Sequence, residues 1–125
     1  MQVHLVDGTY ELYRQHFGQA TRHSDPPPFA GTIGVLTSTI QLLQDGATHI
    51  GVATDHVIES FRNDLYSGYK TSDGMEPVLL EQIPILEDAL RAMGVTVWAM
   101  EEFEADDALA SAAAVACEDR TVHKV

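Results

Sequence analysis

The sequence predicts an α/β domain on a parallel sheet, and three observations carry that reading. Short apolar runs recur at residues 3–6, 49–54 and 95–100, and an acidic residue closes each of them. Between the runs, apolar residues recur at intervals of three and four, the period of a helix face. Strand and helix therefore alternate, and parallel neighbours need such crossovers, which are right-handed and cover the sheet with helices.

The elements follow in order. Val3-His4-Leu5-Val6 reads as a buried strand that stops at Asp7-Gly8. Tyr10, Tyr13 and Phe17 then share one helical face, with Gly18 as the stop and a loop over 19–29 that holds Pro26-Pro27-Pro28. Ile33, Leu36, Ile40 and Leu43 mark a second helix ended by Gly46. The run 49–54 is a strand closed by Asp55, and residues 57–66 read as a short helix. Residues 67–76 are polar, carry Gly68 and Gly74 and lack an apolar period, which predicts a mobile loop. Pro77 suits a helix first turn, and Leu79, Leu80, Ile83, Leu86, Leu90 and Met93 follow helical spacing to Gly94, with a kink expected at Pro84. Residues 95–100 form the third strand candidate, and the alanine-rich stretch 105–117 predicts a closely packed helix. Residues 121–125 read as a fourth strand beginning, so the chain is expected to be a fragment of a longer protein.

A chain of 125 residues, 45% hydrophobic, supplies one domain with enough apolar material for a single core, which excludes intrinsic disorder. Its net charge of −12 gives no long-range attraction to nucleic acid or anionic lipid, so any polyanion contact must be local. No apolar stretch approaches the ~20 residues of a membrane span, and the first ten residues lack a basic, then greasy, leader. The expectation is a soluble, cytoplasmic protein without membrane contact. Cys117 is the only cysteine, so no internal disulfide forms, and its small neighbours predict a buried side chain.

The chemistry lies in the acids. In parallel sheets, sites form at strand carboxyl ends. Asp7 and Asp55 each follow a strand, and Glu104, Asp106 and Asp107 come just after the third, so five carboxylates are expected at one edge. Crowded like charges raise one another's pKa or bind a counter-ion, and all-oxygen donors suit Mg²⁺ or Mn²⁺. Two such ions, about 4 Å apart, would activate water and stabilise a leaving oxygen in phosphodiester hydrolysis. Taken singly, each acid serves equally as a helix cap or first-turn partner of the helix dipole. On a helix Glu104 and Asp107 share a face, and Asp106 points away unless it sits at the tip.

Of seven basic residues, Arg14, Arg62 and Lys70 follow the first two acids. Arginine grips phosphate with two bonds and lysine acts as a point charge, which fits catalytic work for Arg14 and Lys70 and phosphate binding for all three. Pairing of Arg14 and Arg62 with Glu11, Glu59 or Asp64 is the plain alternative. Tyr66 and Tyr69 are suited either to stack on bases or to fill part of a core. The six histidines form no closely spaced ligand motif, and Gly31-Thr32-Ile33-Gly34 lacks the Gly-Lys-Ser/Thr ending of a phosphate loop.

Taken in order, Leu5-Val6-Asp7-Gly8-Thr9, Tyr13-Arg14, Asp55, Ser60-Phe61-Arg62, Tyr69-Lys70 and Phe103-Glu104-Ala105-Asp106-Asp107-Ala108 resemble the 5′ to 3′ exonuclease and flap endonuclease family, which includes the amino-terminal nuclease domain of bacterial DNA polymerase I. The resemblance spans Val3 to about Ala116, and the Glu-Ala-Asp-Asp block is its most specific part. It implies a three-layer, PIN-like, resolvase-type domain over residues 1–125, incomplete at its carboxyl end. It also implies that Asp7, Asp55, Glu104, Asp106 and Asp107 form the metal cluster for two Mg²⁺ or Mn²⁺ ions. Arg14, Arg62 and Lys70 match phosphate-engaging positions, and the arch that admits a displaced 5′ strand begins within residues 66–75.

Two departures stand out. Thr71-Ser72-Asp73-Gly74 replaces the Ala-Asn-Arg that follows Tyr-Lys in many relatives. The further aspartates of a Thr-Pro-Asp-Lys-Asp-like motif and the duplex-binding helix-hairpin-helix are not in this sequence, so one metal position is expected to be poorly held and the 125 residues alone weakly active. The expected function is metal-dependent cleavage of DNA at 5′ ends or 5′ flaps in replication and repair. The alternatives are a PIN-like ribonuclease and an inactive nucleic-acid-binding module.

Overall fold

The computed structural model describes residues 1–125. Its elements run β1 (Val3–Asp7), α1 (Gly8–Arg22), α2 (Ala30–Gln44), β2 (His49–Asp55), α3 (Arg62–Leu65), α4 (Pro77–Ala92), β3 (Thr96–Met100) and α5 (Ala105–Glu118). The strands form one parallel sheet in the order β1-β2-β3. Asp7 pairs in register with Ala53 and Asp55 with Met100, so β2 reaches two residues past the end of β1.

Strand alternation divides the side chains between two layers. Val52 on β2 joins Leu12, Val35, Ile58, Leu79, Ile83, Leu86, Leu90 and Val95 in the core, with Val6 and Val97 packed against it, beneath α1, α2 and α4. Val3, Leu5, Gly51 and Trp98 lie on the other face, against α5, which contacts all three strands. Two successive right-handed crossovers stepping the same way across a sheet put their helices on one face, and α5 then carries the chain back across the other. It ends beside β1: Val3 N–H donates to Lys124 O at 2.8 Å and His123 N–H to Met1 O at 2.8 Å, with a parallel bridge between Gln2 and Lys124. The sheet has three strands, and the segment expected as a fourth contributes only this isolated bridge.

The α5 layer covers its face of the sheet only in part. Between them runs an apolar groove of about 1060 Å³, lined by Leu5, Trp98, Met100, Phe103, Val115 and Val122 among others. Against the close packing expected of α5, Ala105 is its one buried residue, and Cys117 is exposed, contrary to the burial expected of it. No helix is long and apolar enough to cross a membrane.

Other departures concern helix faces and ends. Helix α1 runs through Gly18 to Arg22, because a helical glycine costs only about 1 kcal/mol and stops nothing unless it takes a left-handed turn. Gly46, with φ of 103°, does take one and follows α2. Tyr10, Tyr13 and Phe17 face outward, and Leu12 is the buried residue of α1 with Gly8. On α2 the buried residues are Gly31, Thr32, Val35 and Thr39, while Ile33, Ile40 and Leu43 are exposed. A methyl at Gly31 would meet the His16 backbone at 3.2 Å and one at Gly34 the Gln15 side chain at 2.5 Å, so the helices lie too close for bulky residues. The helix expected over 57–66 shrinks to Arg62–Leu65. Helix α4 starts at Pro77 and continues through Pro84, burying Leu79, Ile83, Leu86 and Leu90 as the spacing predicts.

Candidate active site at the carboxyl edge of the sheet

Local structure delivers each acid to the same edge. Asp7 ends β1 and caps α1, its Oδ1 accepting Tyr10 N–H at 2.9 Å. Gly8 permits this junction: a methyl there would stand 2.7 Å from Val52 Cγ1. Asp55 ends β2 and is buried. Its N–H donates to Thr9 Oγ1 at 2.8 Å, and its Oδ1 accepts Ala105 N–H at 2.9 Å. Glu104 occupies the cap position of α5, followed by exposed Asp106 and half-buried Asp107 in its first turn.

The cations sort these acids into two groups. Lys70 Nζ donates to Asp55 Oδ2 at 3.0 Å and to Glu104 Oε1 at 3.1 Å. Arg62 bonds Asp107 twice, at 3.0 and 2.9 Å, and also bonds Glu104 Oε2. Glu104 N–H donates to Asp107 Oδ2 at 2.9 Å, and Tyr69 Oη reaches Glu104 Oε2 at 3.5 Å. Burial opposes charge on Lys70, but its bonds to Asp55 and Glu104 outweigh that and raise its pKa. Burial likewise pushes Glu104 up, and Lys70 and Arg62 together pull it below its ordinary value. Arg62 foremost lowers Asp107.

Asp7 and Asp106 have no ion-pair partner. Burial above all raises the pKa of Asp7, the Tyr10 bond opposes it, and the nearby charges of Asp55 and Asp106 raise it further. Asp106 therefore sits at the helix tip facing this uncompensated corner. Asp107, by contrast, is paired with Arg62.

All five acids share the edge, yet no three carboxylate or histidine donors converge on one point as a ready metal-binding group. Lys70 stands between Asp55 and Glu104, and Arg62 between Glu104 and Asp107. The donor set still fits a hard divalent cation in kind, being all oxygen, with the acids Asp55 and Asp106 near Asp7.

Of the remaining expected residues, Arg14 lies apart, bonded to Glu11 at 2.8 and 3.2 Å on the exposed side of α1. Tyr66 is 72% exposed and hydrogen-bonds none of the acids, whereas Tyr69 reaches Glu104 as above. The sequence reading missed the residues that place Lys70. Asn63 Nδ2 donates to Lys70 O at 2.5 Å and its Oδ1 accepts Ser60 N–H, while Glu59 Oε1 accepts both Ser72 N–H and Ser72 Oγ–H at 2.9 Å. These bonds pin the start of the 67–76 segment to α3 and its approach. The serine-to-asparagine spacing of three, a signal of the capping-box kind, was available to show it.

The sequence profile of the 5'-3' exonuclease N-terminal resolvase-like domain matches residues 2–125. The chain belongs to that family. This 5′-3′ exonuclease domain is 31% identical over 113 residues to DNA polymerase I of Bacillus caldotenax, covering 88% of this chain and 13% of that protein. It is 32% identical over 114 residues to DNA polymerase I of Mycobacterium leprae, covering 87% of this chain and 12% of that protein. With the 5'-3' exonuclease of Mycoplasma pneumoniae it shares 35% over 116 residues, 86% of this chain and 39% of that one. The exonuclease domain thus spans well under half the length of these relatives. No solved structure matches it at a significant level.

Proposed function

We propose that this edge serves divalent-metal-dependent hydrolysis of DNA phosphodiester bonds at 5′ ends and 5′ flaps, in cytoplasmic replication and repair. The supporting observation is that acids from three separate strand ends meet at one edge with Lys70 and Arg62 between them. Family membership supports the same reading. Asp7 and Asp106, which have no ion-pair partner, would hold the metal, joined by Asp55 and Glu104 where Lys70 gives way. Bound Mg²⁺ or Mn²⁺, two ions in a full-length enzyme, supplies Lewis-acid activation of water and offsets charge on the phosphate.

The chain's own residues do the rest. Lys70 and Arg62, already poised between carboxylates, turn their charge to the scissile phosphate, and the exposed Arg14 engages a neighbouring one. Tyr66 and Tyr69 offer rings to unpaired bases, and residues 67–76 form the arch that the 5′ strand enters. With a net charge of −12, attraction to DNA is confined to this patch.

The test is cleavage of 5′-labelled flap DNA and a matched RNA flap with Mg²⁺, Mn²⁺ or EDTA, by this chain and by the full-length protein. Metal-dependent release of short DNA products, abolished by Asp7→Asn, is expected, with the 125 residues alone weaker. Preferred cleavage of the RNA flap would assign a ribonuclease instead, and metal-independent flap binding without cleavage an inactive binding module.

A further inference from the structure

Helix α4 carries an acid that the proposed chemistry leaves unused. Glu87 is 2% exposed, has no lysine or arginine partner, and stands among the core residues Ile83, Leu86 and Leu90. Its Oε1 accepts the Thr54 hydroxyl at 2.6 Å, and His56 Nδ1 lies 3.1 and 2.9 Å from its two oxygens. Thr54 and His56 are the residues on either side of Asp55. One buried carboxylate therefore grips the chain just before and just after the acid that ends β2.

We propose that Glu87 is a positioning residue for Asp55. A buried carboxylate costs stability unless several donors satisfy it, and an apolar residue would fill the same core position without that cost. What the carboxylate adds is direction. It clamps Thr54 on the core side of the strand and holds the half-exposed His56 ring against α4. The backbone of Asp55 is thereby fixed, with one carboxylate oxygen on Ala105 N–H and the other on Lys70. A group that orients a carboxylate from behind in this way tunes how well that carboxylate holds a cation. The proposal rests on the nuclease reading for its metal, but the clamp itself is testable without one.

The experiment compares the parent chain with Glu87→Leu and Glu87→Gln. Glutamine keeps an acceptor for Thr54 and a bonding partner for His56, whereas leucine removes both. In the metal-free protein, amide hydrogen exchange at Ala105, whose N–H bonds Asp55, should speed up in E87L by about tenfold while the amides of Leu86 and Leu90 stay protected. E87Q should restore it. Mn²⁺ affinity, measured by titration, should fall about tenfold or more in E87L, the loss typical of removing a residue that orients a metal ligand. If E87L does not fold, His56→Phe, which alters only the half-exposed partner, carries the same readings.

Unchanged Ala105 exchange in the folded variant would overturn the clamp. Unchanged Mn²⁺ affinity in E87L would overturn its role at the site while leaving the nuclease reading intact. No Mn²⁺ binding by the parent chain would overturn the nuclease reading and the metal role together, and Ala105 exchange would still judge the clamp.

Discussion

Arg62 and Asp107 meet through two parallel bonds, Nη1 to Oδ2 at 3.0 Å and Nη2 to Oδ1 at 2.9 Å, and the same carboxylate accepts the Glu104 N–H. Asp107 thereby spends its oxygens on holding the start of α5. The arginine foremost holds Asp107 below its ordinary value of 3.8, and, against the burial that pushes Glu104 up, it helps Lys70 hold Glu104 below its ordinary 4.5. Groups lowered in this way contribute stability that is present above those values and is lost as pH falls through the folded ones. Arg62→Met should therefore raise the midpoint of acid unfolding, followed by circular dichroism over roughly pH 2 to 6. Superimposable acid transitions would show that the bidentate pair contributes nothing to the fold.

Asp7 has the opposite sign. Burial first, then Asp55 and Asp106, raise its pKa, so its contribution to stability is greatest when protonated and is lost as pH rises through the folded value. At neutral pH the ionised carboxylate is a strain on the fold. Asparagine caps a helix as well as aspartate and keeps the bond to Tyr10 N–H. Asp7→Asn is accordingly expected to raise the thermal midpoint at neutral pH. Added Mg²⁺ or Mn²⁺ should stabilise the parent, by mass action, and leave the variant unmoved. A lowered midpoint in the variant would contradict the assigned cause of the shift.

Lys70 bridges Asp55 and Glu104, at 3.0 and 3.1 Å. Under the proposed function, a divalent ion entering there would compete with the ammonium. Lys70→Met should bind Mn²⁺ at least as tightly as the parent, since both carboxylates are freed. Flap cleavage should nevertheless fall by about 10²-fold or more, the loss typical of removing one charged donor to a developing anion. Equal cleavage by the variant would reduce Lys70 to a counter-ion.

The strands and the acidic edge were legible because each apolar run ends abruptly at a charge, and the order of elements dictates a parallel sheet. The inner face of α4 was legible for a related reason, its large residues being also its buried ones. On α1 and α2 that rule fails. Gly31 and Gly34 bring the two helices close enough that the contact excludes bulky groups, so Tyr13, Phe17, Ile33 and Ile40 are displaced outward. Glu87 was hidden because a lone acid on a helix reads as solvated. Its place four residues after Ile83 and three before Leu90, inside the apolar stripe, was the available signal. The pairing of Arg62 with Asp107 spans 45 residues and only the folded chain reveals it.

Two glycines test how rigidly the edge is built. A methyl at Gly8 would lie 2.7 and 2.9 Å from Val52 Cγ1 and Thr54 Cγ2, both on stiff β-branched side chains of a buried strand, and 3.1 Å from the Ala53 carbonyl. At Gly51 the obstacle is the outer edge of the Trp98 ring, at 2.5 Å, which borders the open groove under α5 and can swing into it. Alanine gains about 1 kcal/mol of helix propensity over glycine within α1, so contact alone must decide the sign at Gly8. Overpacking of a tight core costs about 1 to 3 kcal/mol, and Gly8→Ala should be destabilised on balance, with Asp7 pushed off β2 and Mn²⁺ affinity reduced. Gly51→Ala should lose less stability, keep Mn²⁺ binding, and change the fluorescence of Trp98, the only tryptophan in the chain. Urea midpoints of the two variants in the reverse order would place the rigid contact on the α5 face.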